Sequence, residues 1–316
     1  MQGPVRYMTR EQRMDSGRAE PRLHHIRAFV AVATHGSIRS AARELGMSQP
    51  AMTRSIRELE ALMNTALLVR GASGVTLTDS GRALERHARM IVSELRRARD
   101  SVDQVSGRGR GHVAIGVSAT VARTILPAVV ARFQKDYPQV SMHLQEGQLS
   151  ALVERLRSGE LDFTISTVDT DTIDHDLRIQ PLFDKPFVVV MRHDHPLAGA
   201  TNPEMLCHAR WVLPTPRSGY YAGLYRWLDE KHIINAQSRL ECDSFTTSLN
   251  LIAQSDMIGV FAQGMVAHHG MAGLVELSLE TPLPSARFHL VRHQERPLTP
   301  AAERLAQLFE YESRAG

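Results

Sequence analysis

Thr53, Arg54 and Arg57 fall on one side of a short helix whose other side is apolar, and their chemistry suits a nucleic-acid duplex. An arginine fork matches a guanine edge or a phosphate, and a hydroxyl bonds to either. At about 100° per residue, Leu62, Leu59, Met52, Met63 and Ile56 occupy an arc roughly 140° wide, while Pro50, Thr53, Arg54 and Arg57 lie opposite. An ordinary solvated helix face has the same composition, so the rest of the chain must decide. A second chemistry-bearing stretch is Ser118–Ala119–Thr120, where a strand gives way to a helix. Two hydroxyls and free backbone N–H groups make an anion site there, although simple N-capping also explains the serine. Comparable polar strand ends are Glu146–Gly147–Gln148, Ser166–Thr167 and Cys242–Asp243–Ser244–Phe245–Thr246; the loop 214–219 adds Arg217 and Ser218.

Other candidates carry less chemistry. The pairs His193 and His195, His268 and His269, and His289 and His293 lack the Cys/His spacing of a structural zinc site. Cys207 and Cys242 are the only cysteines, so no disulfide framework exists, and a reducing compartment fits. No nucleophile elbow, phosphate loop or zinc-protease motif occurs. The expectation is therefore a binding protein without metal, cofactor or catalytic residues.

The elements that must position these residues are legible in the patterning. Ser37–Leu45 reads as a helix with Ile38, Ala41, Ala42 and Leu45 on its buried face. Gly46 supplies the turn, Ser48 caps the next helix and Pro50 sits in its first turn, which together give a helix-turn-helix. A preceding helix, Arg22–Thr34, carries an apolar stripe of Leu23, Ile26, Val30 and Ala33. Two β-prone runs around Gly71–Gly74 predict a hairpin, a wing that brings Arg70 near a DNA backbone. Ser37, Gln49 and Thr78 complete the candidate DNA-contacting set. Asp79–Val105 is one long helix, capped by Asp79 or Ser80, with Leu84, Ala88, Ile91, Leu95, Ala98, Val102 and Val105 in strict heptad register. That seam suits a two-chain coiled coil. Ser106–Gly111 reads as a hinge. From His112 onward strands and helices alternate, with strands at 112–118, 140–145 and 161–167 and helices at 124–137 and 150–158, the rhythm of a parallel sheet.

The order of these parts and the residues themselves resemble the LysR-type transcriptional regulators. The segments FVAVATHGSIRSAARELGMSQPAMTRSIRELE, LLVRGASGVTLTDSG, FQKDYPQV, LRSGELDFTI and RHDHPLA carry the resemblance from about Arg22 to the end. Thr53 stands where the family usually has Ser. The resemblance implies an α/β protein with a winged helix-turn-helix domain at 22–78, a dimerising linker helix at 79–105, a hinge at 106–111 and a two-lobed effector domain at 112–316 similar to periplasmic solute-binding proteins. Lobe I would take 112–183 and 282–316, and lobe II 184–281. It further implies that Ser118, Thr120, Gln148, Thr167, Arg217 and Thr246 face the interlobe cleft, with Ala119 and Ser218 beside them. Hydroxyls, helix N-termini and one Arg suggest a small carboxylate or similar anion as effector, although Arg217 reads equally as a lobe-bridging salt-bridge partner. Expected partners are double-stranded promoter DNA, a second copy of the chain (as dimer and dimer-of-dimers tetramer) and RNA polymerase.

Composition is compatible with this. The 316 residues suggest two or three domains, and 43% hydrophobic with 22% charged residues is ordinary for a globular protein. Residues 1–110 hold 19 Arg and no Lys against 11 Asp and Glu, whereas the remainder has 18 basic and 23 acidic residues. A basic front on an acidic back is expected when one part meets phosphates and the other does not. Residues 1–21 lack periodicity and read as a disordered extension. Without an apolar signal core or a membrane-length apolar run, a bacterial cytoplasmic location is expected. The rival readings are a solute-binding protein with a fused helical front and a cytosolic α/β enzyme; salt-dependent duplex binding separates both from a regulator.

Overall fold

A computed structural model describes residues 20–71, 74–107, 109–168, 175–215, 221–234, 237–266 and 273–315. The expectation of a disordered extension falls mostly on residues 1–19, and the wing tip on 72–73, both outside the described residues. Two compact units divide the chain, Met1–Arg97 and Ala98–Gly316.

The first unit packs three helices, α1 (Leu23–His35), α2 (Ile38–Glu44) and α3 (Gln49–Met63), under the hairpin β1 (Leu68–Gly71) and β2 (Gly74–Leu77). Ser37 and Ser48 start α2 and α3 by accepting the N–H groups of Ser40 and Ala51. Gly46 between them adopts a φ of 63°, which a side chain would strain. Met52, Ile56 and Leu59 face the core as the angular pattern requires, but Leu45 is 37% exposed. The buried face of α1 also differs from the expected stripe. His25, Ala28, Phe29 and Val32 point inward, because the large Phe29 ring takes the centre of the core and rotates Val30 and Ala33 towards its edge. The helix α4 (Asp79–Val105) has the expected bounds, but its cap is Thr78 rather than Asp79 or Ser80: the Thr78 hydroxyl accepts from Gly81 N–H while donating to the Ala66 carbonyl. Gly81 itself is pressed on the Leu67 carbonyl, so a Cβ there would collide.

The second unit carries β3 (Gly111–Val117), α5 (Ala119–Thr124), α6 (Leu126–Asp136), β4 (Val140–Glu146), α7 (Leu149–Arg157), β5 (Phe163–Thr167), β6 (Leu177–Arg192), β7 (Arg210–Leu213), α8 (Ala222–Glu230), β8 (Arg239–Glu241), α9 (Phe245–Ala253), β9 (Met257–Ala262), β10 (Leu274–Leu277), β11 (Ser285–His293) and α10 (Pro300–Ala315). Among the described residues the strands run in the order β4-β3-β5-β11-β6-β9-β7-β8, with β10 also on β6. The sheet is mixed rather than parallel. The two flanks, β4-β3-β5 and β9-β7-β8, are parallel, and the middle strands β11 and β6 are antiparallel to their neighbours. The sixteen-residue β6 serves both halves: up to Pro186 it pairs with β11, and from Phe187 onward with β9 and β10. The last turns of α4 belong to this unit. Asp100 accepts the His112 N–H at 3.2 Å and Gln104 accepts the Ala301 N–H at 2.9 Å.

Candidate functional site

On the first unit the outward face of α3 gathers Gln49, Pro50, Thr53, Arg54 and Arg57 into one shallow surface with Glu58 and Ala61. Arg54 is 82% exposed, with its Nε donating to Glu58 Oε1 at 2.8 Å. That bond, followed by one from His25, holds the Glu58 carboxyl below its usual pKa. Arg70 is exposed on β1. Ser37 and Thr78 also serve the fold: the Ser37 hydroxyl caps α2, and that of Thr78 both donates and accepts within the unit. Glu60, which the sequence did not single out, accepts the Leu67 and Leu68 N–H groups and so ties the wing to the end of α3.

In the second unit a cavity of about 290 Å³ lies where the strand ends of both halves converge. Ser118, Ala119, Thr120, Gln148 and Thr167 line it together. Thr246 is exposed and does not line it; the helical turn of α9 presents Phe245 and Ser248 instead. Arg217 and Ser218 lie outside the described residues. The walls are largely apolar, with Val153, Val168, Leu177, Val260, Phe261 and Phe288 among them. The Ser118 hydroxyl accepts the Val121 N–H at 3.5 Å, the long limit for a cap. Ser166 is 1% exposed, borders the cavity, and its hydroxyl has no hydrogen-bond partner among the described residues. Three charged residues are among the described ones that line the cavity. Glu146 and Asp243 border it, and Arg157 is engaged by Asp176 and Glu154, each at 2.9 Å. Arg157 in turn lowers the Asp176 pKa. Burial raises that of the Tyr221 phenol, which stacks on Phe187.

The heptad residues of α4 divide. Ala88 is fully buried in the core of the first unit and Leu84 packs against it, because the first turns of α4 lie on that unit. Ile91, Ala98, Val102 and Val105 are exposed and Leu95 is half-buried. His195 and His289 bond to backbone carbonyls. Among the described residues, His24, His25 and Glu58 form the one cluster compact enough to surround an ion.

A winged helix-turn-helix followed by an α/β unit with an internal ligand-sized cavity defines a ligand-responsive, DNA-binding transcriptional regulator. Residues 23–82 match the family described as bacterial regulatory helix-turn-helix protein, lysR family, and residues 106–313 match the LysR substrate binding domain. The chain belongs to the LysR family of transcriptional regulators. It is 31% identical over 297 residues to the HTH-type transcriptional regulator TdcA of Escherichia coli (strain K12), covering 94% of this chain and 95% of that protein. A full-length OxyR variant from Pseudomonas aeruginosa shares the fold with a TM-score of 0.69 at 20% identity, over 94% of this chain and 95% of that one. Full-length CbnR complexed with its target DNA does so with a TM-score of 0.67 at 20% identity, over 92% and 99%. Family membership makes the protein a regulator with an effector-binding domain, and sets aside the solute-binding and enzymatic alternatives. No helix among the described residues is long and apolar enough to cross a membrane.

Proposed function

We propose that the chain reads promoter DNA through Gln49, Pro50, Thr53, Arg54 and Arg57, with Ser37 and Arg70 against flanking phosphates, under the control of a small carboxylate bound in the second unit. The single observation that supports the ligand reading is the cavity itself: five sequence-assigned residues, Ser118, Ala119, Thr120, Gln148 and Thr167, share one apolar-walled space of about 290 Å³. Pockets of about 300 Å³ upward hold small molecules. Hydroxyls serve a carboxylate's lone pairs, and the apolar walls its body. The two lobes would be 112–183 with 282–316 and 184–281, moving about the strands that join them. Subunits would pair through Ile91, Leu95, Ala98, Val102 and Val105, and dimers would associate into tetramers in the bacterial cytoplasm and contact RNA polymerase on the promoter.

The test is a melting screen of the full chain against small aliphatic and aromatic carboxylates, each beside its neutral amide. A true effector at a hundred times its Kd adds about 2.7 kcal/mol, or roughly 5–10 °C for a domain of this size. Stabilisation by the amides but not the acids would overturn the carboxylate assignment.

A further inference from the structure

Glu58 sits on the exposed side of α3, one turn beyond Arg54, and both of its oxygens are engaged. Oε1 accepts from Arg54 Nε at 2.8 Å, and Oε2 is 3.0 Å from Nε2 of His25 on α1. The His25 ring is 4% exposed, and its Nδ1 accepts the backbone N–H of Arg22 at 3.2 Å. That backbone contact fixes the tautomer: Nδ1 offers its lone pair, so Nε2 carries the proton and donates to Glu58. The same polarity argues against an ion at the His24–His25–Glu58 cluster, since a metal-bound imidazole needs an acceptor, not an N–H, behind its other nitrogen.

An exposed Arg–Glu pair four residues apart is normally a loose, weak contact, and a carboxylate beside a DNA-reading face repels phosphates. Here a buried, backbone-anchored ring fixes the carboxylate, and the carboxylate occupies the side-on Nε of Arg54. That bond leaves the two terminal nitrogens of the 82% exposed guanidinium for other acceptors, and such a fork pairs with O6 and N7 of guanine. We propose that Glu58 is a positioning residue for DNA readout: anchored by His25, it orients Arg54 towards a base edge and disfavours indiscriminate phosphate binding. This rests on the reading of Arg54 as a base-contacting residue. Glu58 thereby sets the ratio of specific to random affinity rather than affinity alone.

The experiment uses the full-length protein, a duplex selected by the wild type from a randomised library, and a scrambled duplex of equal length, at one fixed salt concentration. Arg54→Ala should weaken binding to the selected duplex about tenfold or more. Glu58→Gln retains one acceptor but turns an amide towards the His25 N–H; it should lower the selected-to-scrambled ratio about five- to tenfold while tightening binding to the scrambled duplex. Glu58→Asp keeps the charge but is one methylene too short to bridge Arg54 and His25, and should lose the ratio similarly. In the Arg54→Ala background neither Glu58 substitution should change the ratio, with melting temperatures confirming folded protein throughout. A strong Arg54→Ala effect with an unchanged ratio in both Glu58 variants would overturn the positioning role alone. Equal Glu58 effects with and without Arg54 would do the same. A silent Arg54→Ala would overturn the base-contact reading and the inference with it.

Discussion

Ser166 buries a hydroxyl that no group among the described residues bonds, at the border of the cavity. Leaving such a group unpaired costs about 1–3 kcal/mol, and an apolar replacement of similar shape removes that cost. Ser166→Ala should therefore raise the melting temperature of the ligand-free protein slightly while weakening effector binding about tenfold, as read by calorimetric titration. Ser118 offers a contrast. Its hydroxyl is already a cap, though at 3.5 Å a poor one. A lower melting temperature for Ser166→Ala would mean that the hydroxyl supports the fold, and would remove it from the ligand site.

The long helix α4 has a buried and an exposed part that its heptad pattern alone did not separate. Leu84 and Ala88 belong to the core of the first unit, whereas Ile91, Val102 and Val105 are exposed by 47%, 63% and 79%. Ile91→Asp should abolish pairing of subunits and leave the first unit folded, because a charge in a helix–helix seam is poorly solvated. Light scattering should then report a smaller species; unchanged mass would show that Ile91 is not in the seam. The helices, caps and wing of the first unit were legible in the sequence because their signals are local: Ser48, Pro50 and Gly46 each act within a few residues. The face of α1 was not, since Phe29 decides it through tertiary packing. The Glu58–His25 bond spans 33 residues and no local pattern encodes it. In the second unit the strands at 140–146 and 163–167 were close to their expected places, but their order was hidden. The antiparallel return of β11 beside β6 links residues a hundred positions apart. For the cavity, strand-to-helix junctions identified Ser118, Thr120 and Gln148, while the rotation of α9 that turns Thr246 out and Ser248 in is set by tertiary packing.

At the scale of the whole molecule, one continuous helix has its first turns in the core of the DNA-binding unit and its last turns bonded to the effector-binding unit through Asp100 and Gln104. Between Arg82 and Val105 it contains neither Gly nor Pro, so nothing in its sequence favours a break. Control of DNA binding by the cavity requires that the ligand bind two arrangements of the second unit unequally. The measurement that tests this most directly is a footprint of the full-length protein on its selected duplex during titration with the carboxylate found by melting. The expected result is a change in the protected region whose midpoint coincides with the calorimetric Kd of the ligand. An identical footprint at saturating ligand would contradict control of DNA binding by the cavity.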